Sequence, residues 1–134
     1  MLCHLLSLLV LPQAIDPPPR FERLENGLRV AVVEEHALPL VSVQLWYRVG
    51  SASDAIEQPG LCHVARTILE HRDDAALKLR AAGVRFESQT LRDACYFSSI
   101  LPPNFLEYVL DIEAGRMRPI SVNTDMVETA LAAA

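Results

Sequence analysis

The chain has 134 residues, of which 51% are hydrophobic and 22% are charged, and its formal net charge is −5. This length fits one small domain, and the apolar content excludes a disordered tail. The acidic balance argues against nucleic acid as a partner, and no apolar run reaches the roughly 20 residues of a membrane span.

The chain begins with an apolar run that holds no charged residue before Asp16. Residues 1–15 have the length of a signal-peptide core, but no basic residues precede them, and Pro12 stands near the expected cleavage site. Two interpretations stay open: a signal peptide, which makes the protein periplasmic or exported, and a buried first element, which makes it cytoplasmic. Residues 16–20 hold three consecutive prolines and predict a stiff, extended spacer.

Three strands are predicted before the first helix. Asn26 and Gly27 separate two strand-like segments, 21–25 and 28–34, and Asn-Gly between such segments is a strong hairpin signal. The third segment, 41–49, alternates apolar and polar residues, which is typical of a half-buried strand.

The rest of the chain shows helical and strand patterns grouped in blocks. The predicted elements are helices over 60–71 and 73–83, strands over 84–89 and 93–101, and a helix over 103–117. Asp125 and Glu128 have the spacing of a capping pair for a last helix. That helix runs into the alanine-rich end without a stop signal, so we expect the chain to be cut there. Because strands and helices cluster, the order predicts a truncated α+β fold, a largely antiparallel sheet with helices packed on one face.

His63, Glu70 and His71 are the first candidates for metal ligands. On one helix, His63 lies ~10.5 Å along the axis from Glu70 and ~12 Å from His71. A zinc ion takes its ligands at about 2.0–2.2 Å, and the residue at the workable spacing from His63 is Thr67, which is not a usual zinc ligand. Cys62 points about 100° away from His63, so the two make a poor nucleophile–base pair. This helix alone does not predict a zinc site.

Five segments together resemble a known family. They are 24–30 (LENGLRV), 41–51 (VSVQLWYRVGS), 59–63 (PGLCH), 83–93 (GVRFESQTLRD) and 111–117 (DIEAGRM). In this order they resemble the N-terminal domain of the insulinase/pitrilysin zinc metallopeptidases, which include the mitochondrial processing peptidases. The resemblance runs from about 21 to 129, and it implies that 21–134 form part of an N-terminal peptidase-like domain.

Active members of that family carry H-x-x-E-H, in which two histidines bind zinc and the glutamate activates water. Without gaps, the resemblance places His63 at the first ligand, Arg66 at the catalytic glutamate and Thr67 at the second histidine. A second alignment needs an insertion and places Glu70 and His71 at the end of the motif, with Thr67 at the first ligand. Neither alignment restores the motif.

Arg66 has the largest consequence for function. A cation there repels Zn²⁺ and cannot act as a general base. The family's third ligand, a glutamate, falls at or beyond Ala134. The resemblance therefore implies that zinc is the cofactor of the family and that this chain binds none. In the family, peptides bind by strand addition at an edge of the sheet. The resemblance places that edge at four residues of this chain. These are Phe86, Glu87, Ser88 and Gln89.

The implied function is that of a non-catalytic, peptidase-like protein acting as a peptide-binding or partner subunit of a zinc metalloprotease. The expected partners are a homologous peptidase subunit or the missing C-terminal domains, with a peptide as ligand. Two alternatives stay open. One is an active zinc metalloendopeptidase whose site is completed by missing sequence, and the other is a structural envelope module without peptide binding.

Overall fold

The computed structural model describes residues 17–133, so the leader predicted over 1–15 lies outside the described residues. The predicted spacer is described only in part, and its last residue, Arg20, already belongs to the first strand. The chain divides into two compact units, one ending at Leu38 and the other beginning at Pro39. No described helix combines the length and the apolar character that crossing a bilayer requires.

The first unit contains the predicted hairpin. Its strands, β1 (Arg20–Arg23) and β2 (Arg29–Val32), pair antiparallel. The Leu24 amide donates to the Leu28 carbonyl at 2.8 Å, and Gly27 has a φ of 86°. The turn is therefore a three-residue loop with a left-handed glycine at its end, rather than a two-residue Asn-Gly turn. The strands are correspondingly shorter than predicted.

The second unit is built on a three-stranded sheet. Its strands are β3 (Val41–Tyr47), β4 (Arg85–Thr90) and β5 (Cys95–Leu101), in the spatial order β3-β5-β4 with both pairings antiparallel. The central strand β5 is the most buried, while β3 and β4 alternate between half-buried and exposed residues. The predicted α+β fold with an antiparallel sheet is confirmed.

In the described part of the second unit, four α-helices complete the fold. They are α1 (Leu61–His71), α2 (Ala75–Ala81), α3 (Leu106–Arg116) and α4 (Thr124–Ala132). Single 3-10 turns lead into α2 and α3, so both helices begin later than predicted. The apolar core lies between helices and sheet, and its buried residues are Leu79, Val84, Leu101 and Val109.

The start of α4 differs from the prediction. The Asn123 side chain accepts a hydrogen bond from the Met126 amide at 2.9 Å, and Asn123 itself has an extended backbone. An N-cap residue needs that extended backbone, whereas Asp125 already lies inside the helix. The predicted capping pair of Asp125 and Glu128 is therefore wrong.

Gly50 lies where the loop after β3 meets the turn between β4 and β5. A β-carbon on Gly50 would lie 2.5 Å from the Leu91 carbonyl oxygen and 2.6 Å from the Ala94 nitrogen. The next amide, that of Ser51, donates to the same Leu91 oxygen at 3.0 Å. This contact between two backbones leaves no room for a side chain.

We predict that Gly50→Ala lowers the free energy of unfolding by about 1–3 kcal/mol, because neither backbone segment can move without losing hydrogen bonds. Gly115→Ala is the matched control. Among the described residues, a β-carbon there meets no atom within 4 Å beyond the backbone of its own helix, so alanine should stabilise by about 0.5–1 kcal/mol. Urea denaturation measures both, and equal stability of Gly50→Ala and wild type would contradict the close approach.

Candidate functional site

Asp54 anchors the first turn of α1, the helix of the candidate site. One carboxylate oxygen of Asp54 accepts a hydrogen bond from the Gly60 amide, and the other accepts one from the Cys62 amide, both at 2.8 Å. These amides belong to the first turn of the helix, where N–H groups lack partners within the helix and the dipole favours a negative charge. Asp54 therefore fixes the start of α1, the helix that contains all the candidate metal ligands.

The same carboxylate controls the chemistry of Cys62. The side-chain hydrogen bond to Asp54, followed by burial and by the charge of Asp54, raises the pKa of the Cys62 thiol to about 11. The hydrogen bond from Cys62 correspondingly lowers the pKa of Asp54. A thiol must ionise to attack, so Cys62 is not an activated nucleophile at neutral pH.

Arg66 is buried between α1 and β4. Its Nη1 donates to Glu70 Oε2 at 2.6 Å and also to the Ser88 hydroxyl, and its Nη2 donates to Thr67 Oγ1 at 2.9 Å. The Ser88 hydroxyl in turn donates to Glu70 Oε2 at 2.7 Å. Arg66, Glu70 and Ser88 thus form a closed cluster, called the Arg66 cluster below, that joins the helix to the strand.

The charges in and beside the Arg66 cluster do not cancel. Burial raises the pKa of Glu70, but the hydrogen bonds from Ser88 and Arg66 and the Arg66 charge outweigh it, so the net pKa is lowered. Glu70 is therefore ionised at neutral pH and neutralises Arg66. The other Glu70 oxygen lies 3.7 Å from Arg80 Nη2, and the Arg80 side chain is 63% exposed. Glu70 is one negative charge beside two arginines, so one positive charge remains in excess, that of the exposed Arg80.

The predicted ligand positions do not form a set of zinc donors. The Thr67 hydroxyl donates to the His63 carbonyl at 3.0 Å and also accepts from Arg66, so its oxygen is already occupied. His71 Nδ1 lies 2.9 Å from the Thr67 carbonyl, which only accepts, so Nδ1 is the donor. Within 17–133, no three His, Cys, Asp or Glu side chains are grouped to hold a metal ion. Each alignment supplies one imidazole, that of His63 or that of His71, with Thr67 at the other ligand position, and this pair does not fit a zinc site.

The four residues of the predicted peptide-binding edge all lie on β4. Among the described strands, β4 pairs with β5 alone, which puts it at an edge of the sheet. Phe86 and Ser88 are half-buried on the helix side, while Glu87 and Gln89 are exposed on the other face. The structure thus brings the predicted edge to Arg66 through Ser88, and a peptide-binding role for this edge stays a prediction.

The register also shows which main-chain groups of β4 are free. The Leu91 amide donates to the Ala94 carbonyl at 2.7 Å, which makes these opposed residues a hydrogen-bonded pair. Such pairs alternate along an antiparallel ladder, so Arg85, Glu87 and Gln89 bond to β5. The main-chain groups of the alternate residues point away from β5. These residues are Phe86, Ser88 and Thr90.

Sequence reasoning missed how Arg66 is neutralised. It treated Arg66 only as a cation that repels zinc, although Glu70 stands at the i, i+4 spacing that favours an ion pair. Ser88 shares the helix-facing side of β4 with Phe86, which the two-residue period of a strand indicates. No sequence signal placed Arg80 beside Glu70, because that proximity depends on the packing of α2 against α1.

The fold is similar to that of a protease from Helicobacter pylori, with a TM-score of 0.79 and 18% sequence identity. The match covers 87% of this chain and 30% of that chain, so this chain spans less than a third of the protease's length. At this identity the similarity shows a shared fold. No protein-family model matches the sequence, and no curated protein matches it.

We predict that Asp54→Asn makes Cys62 more reactive. Wild-type alkylation should rise with a midpoint at about pH 11, because the neighbouring carboxylate disfavours the thiolate. Loss of the charge should move the midpoint toward the ordinary cysteine value of about 8.5. Iodoacetamide labelling against pH, read on the Cys62 peptide by mass spectrometry, measures the shift. Asp93→Asn, which alters an exposed carboxylate in a turn, should leave the profile unchanged.

We predict that Glu70→Gln lowers the free energy of unfolding at pH 7 by about 1.5–3 kcal/mol, because Arg66 loses a charged hydrogen-bond partner. The folded-state pKa of Glu70 is lowered, so its contribution is complete above the ordinary glutamate value of about 4.3 and disappears as pH falls through the folded value. Wild type and Glu70→Gln should therefore converge in strong acid.

Urea titrations across this pH range measure the effect of Glu70. Glu57→Gln is the control, since Glu57 is exposed in the loop before α1 and should change stability by less than about 0.5 kcal/mol. A constant gap between wild type and Glu70→Gln down to low pH would contradict the role given to the ionised carboxylate.

Proposed function

We propose that this chain is a non-catalytic, peptidase-like module of the insulinase type that holds an extended peptide along β4. The observation that carries the proposal is the Arg66 cluster, which joins the α1 surface to the strand edge through the hydrogen bonds of Ser88 to Arg66 and Glu70. The fold shared with a protease, together with the motif order in the sequence, supports the peptidase-like part.

The case against hydrolysis by this chain rests on Arg66. The alignment without gaps puts the water-activating glutamate at this position, and a guanidinium in a protein stays protonated and has no lone pair to accept a proton. Both of its terminal nitrogens already donate hydrogen bonds, Nη1 to Glu70 and Ser88 and Nη2 to Thr67. With Thr67 standing where a second imidazole is needed, we propose that this chain binds no zinc.

The case for peptide binding rests on β4. The strand is six residues long, and the main-chain groups of three of them point away from β5. An extended peptide can bond to such groups and add a strand, which gives affinity without requiring a particular sequence. The helix-side residues, Phe86 among them, would contact alternate side chains of the peptide.

The proposed partner is a homologous peptidase subunit or further peptidase domains. The H. pylori protease that shares the fold is much longer than this chain, which matches 30% of it. In the proposal, the other domains supply any catalytic centre, and this module helps to enclose and orient the peptide.

The test uses a short, end-capped, dye-labelled peptide rich in Thr and Ser, and two isomers of it methylated at alternate amide nitrogens. Strand addition predicts that one isomer binds at least about tenfold more weakly than the other, because only one set of amides faces β4. Fluorescence anisotropy measures both, with and without a chelator. Chelation and His63→Ala should leave the affinity unchanged.

Two outcomes would contradict the proposal. Equal binding of the two methylated isomers would rule out strand addition. Stoichiometric zinc in the purified protein that disappears in His63→Ala would restore the metallopeptidase interpretation, because the donors described above do not account for it. A variant combining Arg66→Glu with Thr67→His serves as the positive control for zinc uptake, since it recreates the two-histidine motif.

A further inference from the structure

We propose that the β4 edge selects peptides that carry an acidic side chain opposite Ser88, with the Arg80 guanidinium as the group that binds the carboxylate. This inference rests on the proposed peptide-holding function and adds the chemical class of its ligand. It follows from the strand register, from the exposure of Arg80 and from the charges on the two faces of β4.

The register fixes where a peptide side chain would lie. Main-chain groups of Ser88 point away from β5, so an antiparallel peptide can form a hydrogen-bonded pair with this residue. Residues directly opposed in such a pair project to the same face of the sheet, with β-carbons roughly 4.5–5.5 Å apart. The peptide side chain opposite Ser88 therefore lies on the helix side, beside the Arg66 cluster.

Arg80 is an exposed cation close to that place. Ser88 hydrogen-bonds to Glu70 at 2.7 Å, and Glu70 lies 3.7 Å from Arg80, so one carboxylate separates the serine from the guanidinium. The distance of 3.7 Å is too long for a hydrogen bond, and the Arg80 side chain is 63% exposed. Among the described residues Arg80 is ion-paired with Glu70 but donates no hydrogen bond, so its planar fork of five N–H donors can bind a second carboxylate through two parallel hydrogen bonds.

The charge balance favours an anion on the helix side. Glu70 is bound tightly by Arg66 and Ser88, so it neutralises the buried arginine rather than the exposed one. Within residues 17–133, the buried Nε–H of Arg66 has no hydrogen-bond partner, so this side of the guanidinium offers a further donor and no acceptor. On the other face of β4, the exposed Arg85 and Glu87 carry opposite charges and set no overall sign.

The experiment compares the dye-labelled Thr/Ser peptide carrying a single central Glu with its twin carrying Gln. Exposed charge pairs are weak, so the Glu peptide should bind about two- to fivefold more tightly at low salt. The preference should disappear at about 1 M salt, where exposed charges are screened. It should also disappear in Arg80→Gln and return only in part in Arg80→Lys, because lysine restores the charge but not the two parallel hydrogen bonds.

Arg48→Gln is the matched control, because it removes the same charge from an exposed residue just after β3, at the opposite edge of the sheet. It should keep the preference. Equal affinities for the Glu and Gln peptides, or a preference that survives in Arg80→Gln, would overturn this inference while leaving the peptide-holding function in place. Failure of both peptides to bind wild type would overturn both proposals.

Discussion

A buried cation, Arg116, determines how the helices sit on the sheet. Its guanidinium carbon lies 4.3 Å from the ring centre of Phe97 and 5.3 Å from that of Phe86, on the inner faces of β5 and β4. Its Nε donates to Glu113 at 2.9 Å, and its Nη1 donates to the Leu69 carbonyl near the end of α1. One side chain of α3 therefore contacts the sheet and satisfies a carbonyl at the negative end of another helix.

The position of α1 follows from this contact together with the contacts at its other end. Asp54 binds the first amides of the helix, Arg116 binds near its last turn, and between them the Arg66 cluster joins it to β4. The ion pair among these charged contacts, Arg66 with Glu70, adds little net stability compared with apolar packing, but removing one of its partners is costly. The effect of these contacts is to fix geometry, and the geometry fixed here is that of a helix surface beside an open strand edge.

The elements that sequence could predict are those specified by local patterns. The alternation over β3 and the three- and four-residue spacing over α1 each depend on neighbouring residues alone. The Arg66 cluster needs more, because Ser88 meets Glu70 only after β4 has paired with β5 and α1 has packed on it. The cap of α4 was missed for a local reason: Asn123 and Asp125 are both good capping residues, and only the backbone conformation distinguishes them.

An open strand edge is also a hazard, since it can pair with the same edge of another copy. Charged side chains on an edge strand disfavour such pairing, and β4 carries Arg85 and Glu87 on its exposed face. Arg80 adds a cation on the other face, so a second copy of the strand would bring another arginine to each site. A peptide that brings a carboxylate meets no such repulsion. In the proposed function, the Arg80 charge that disfavours self-pairing also favours an acidic ligand.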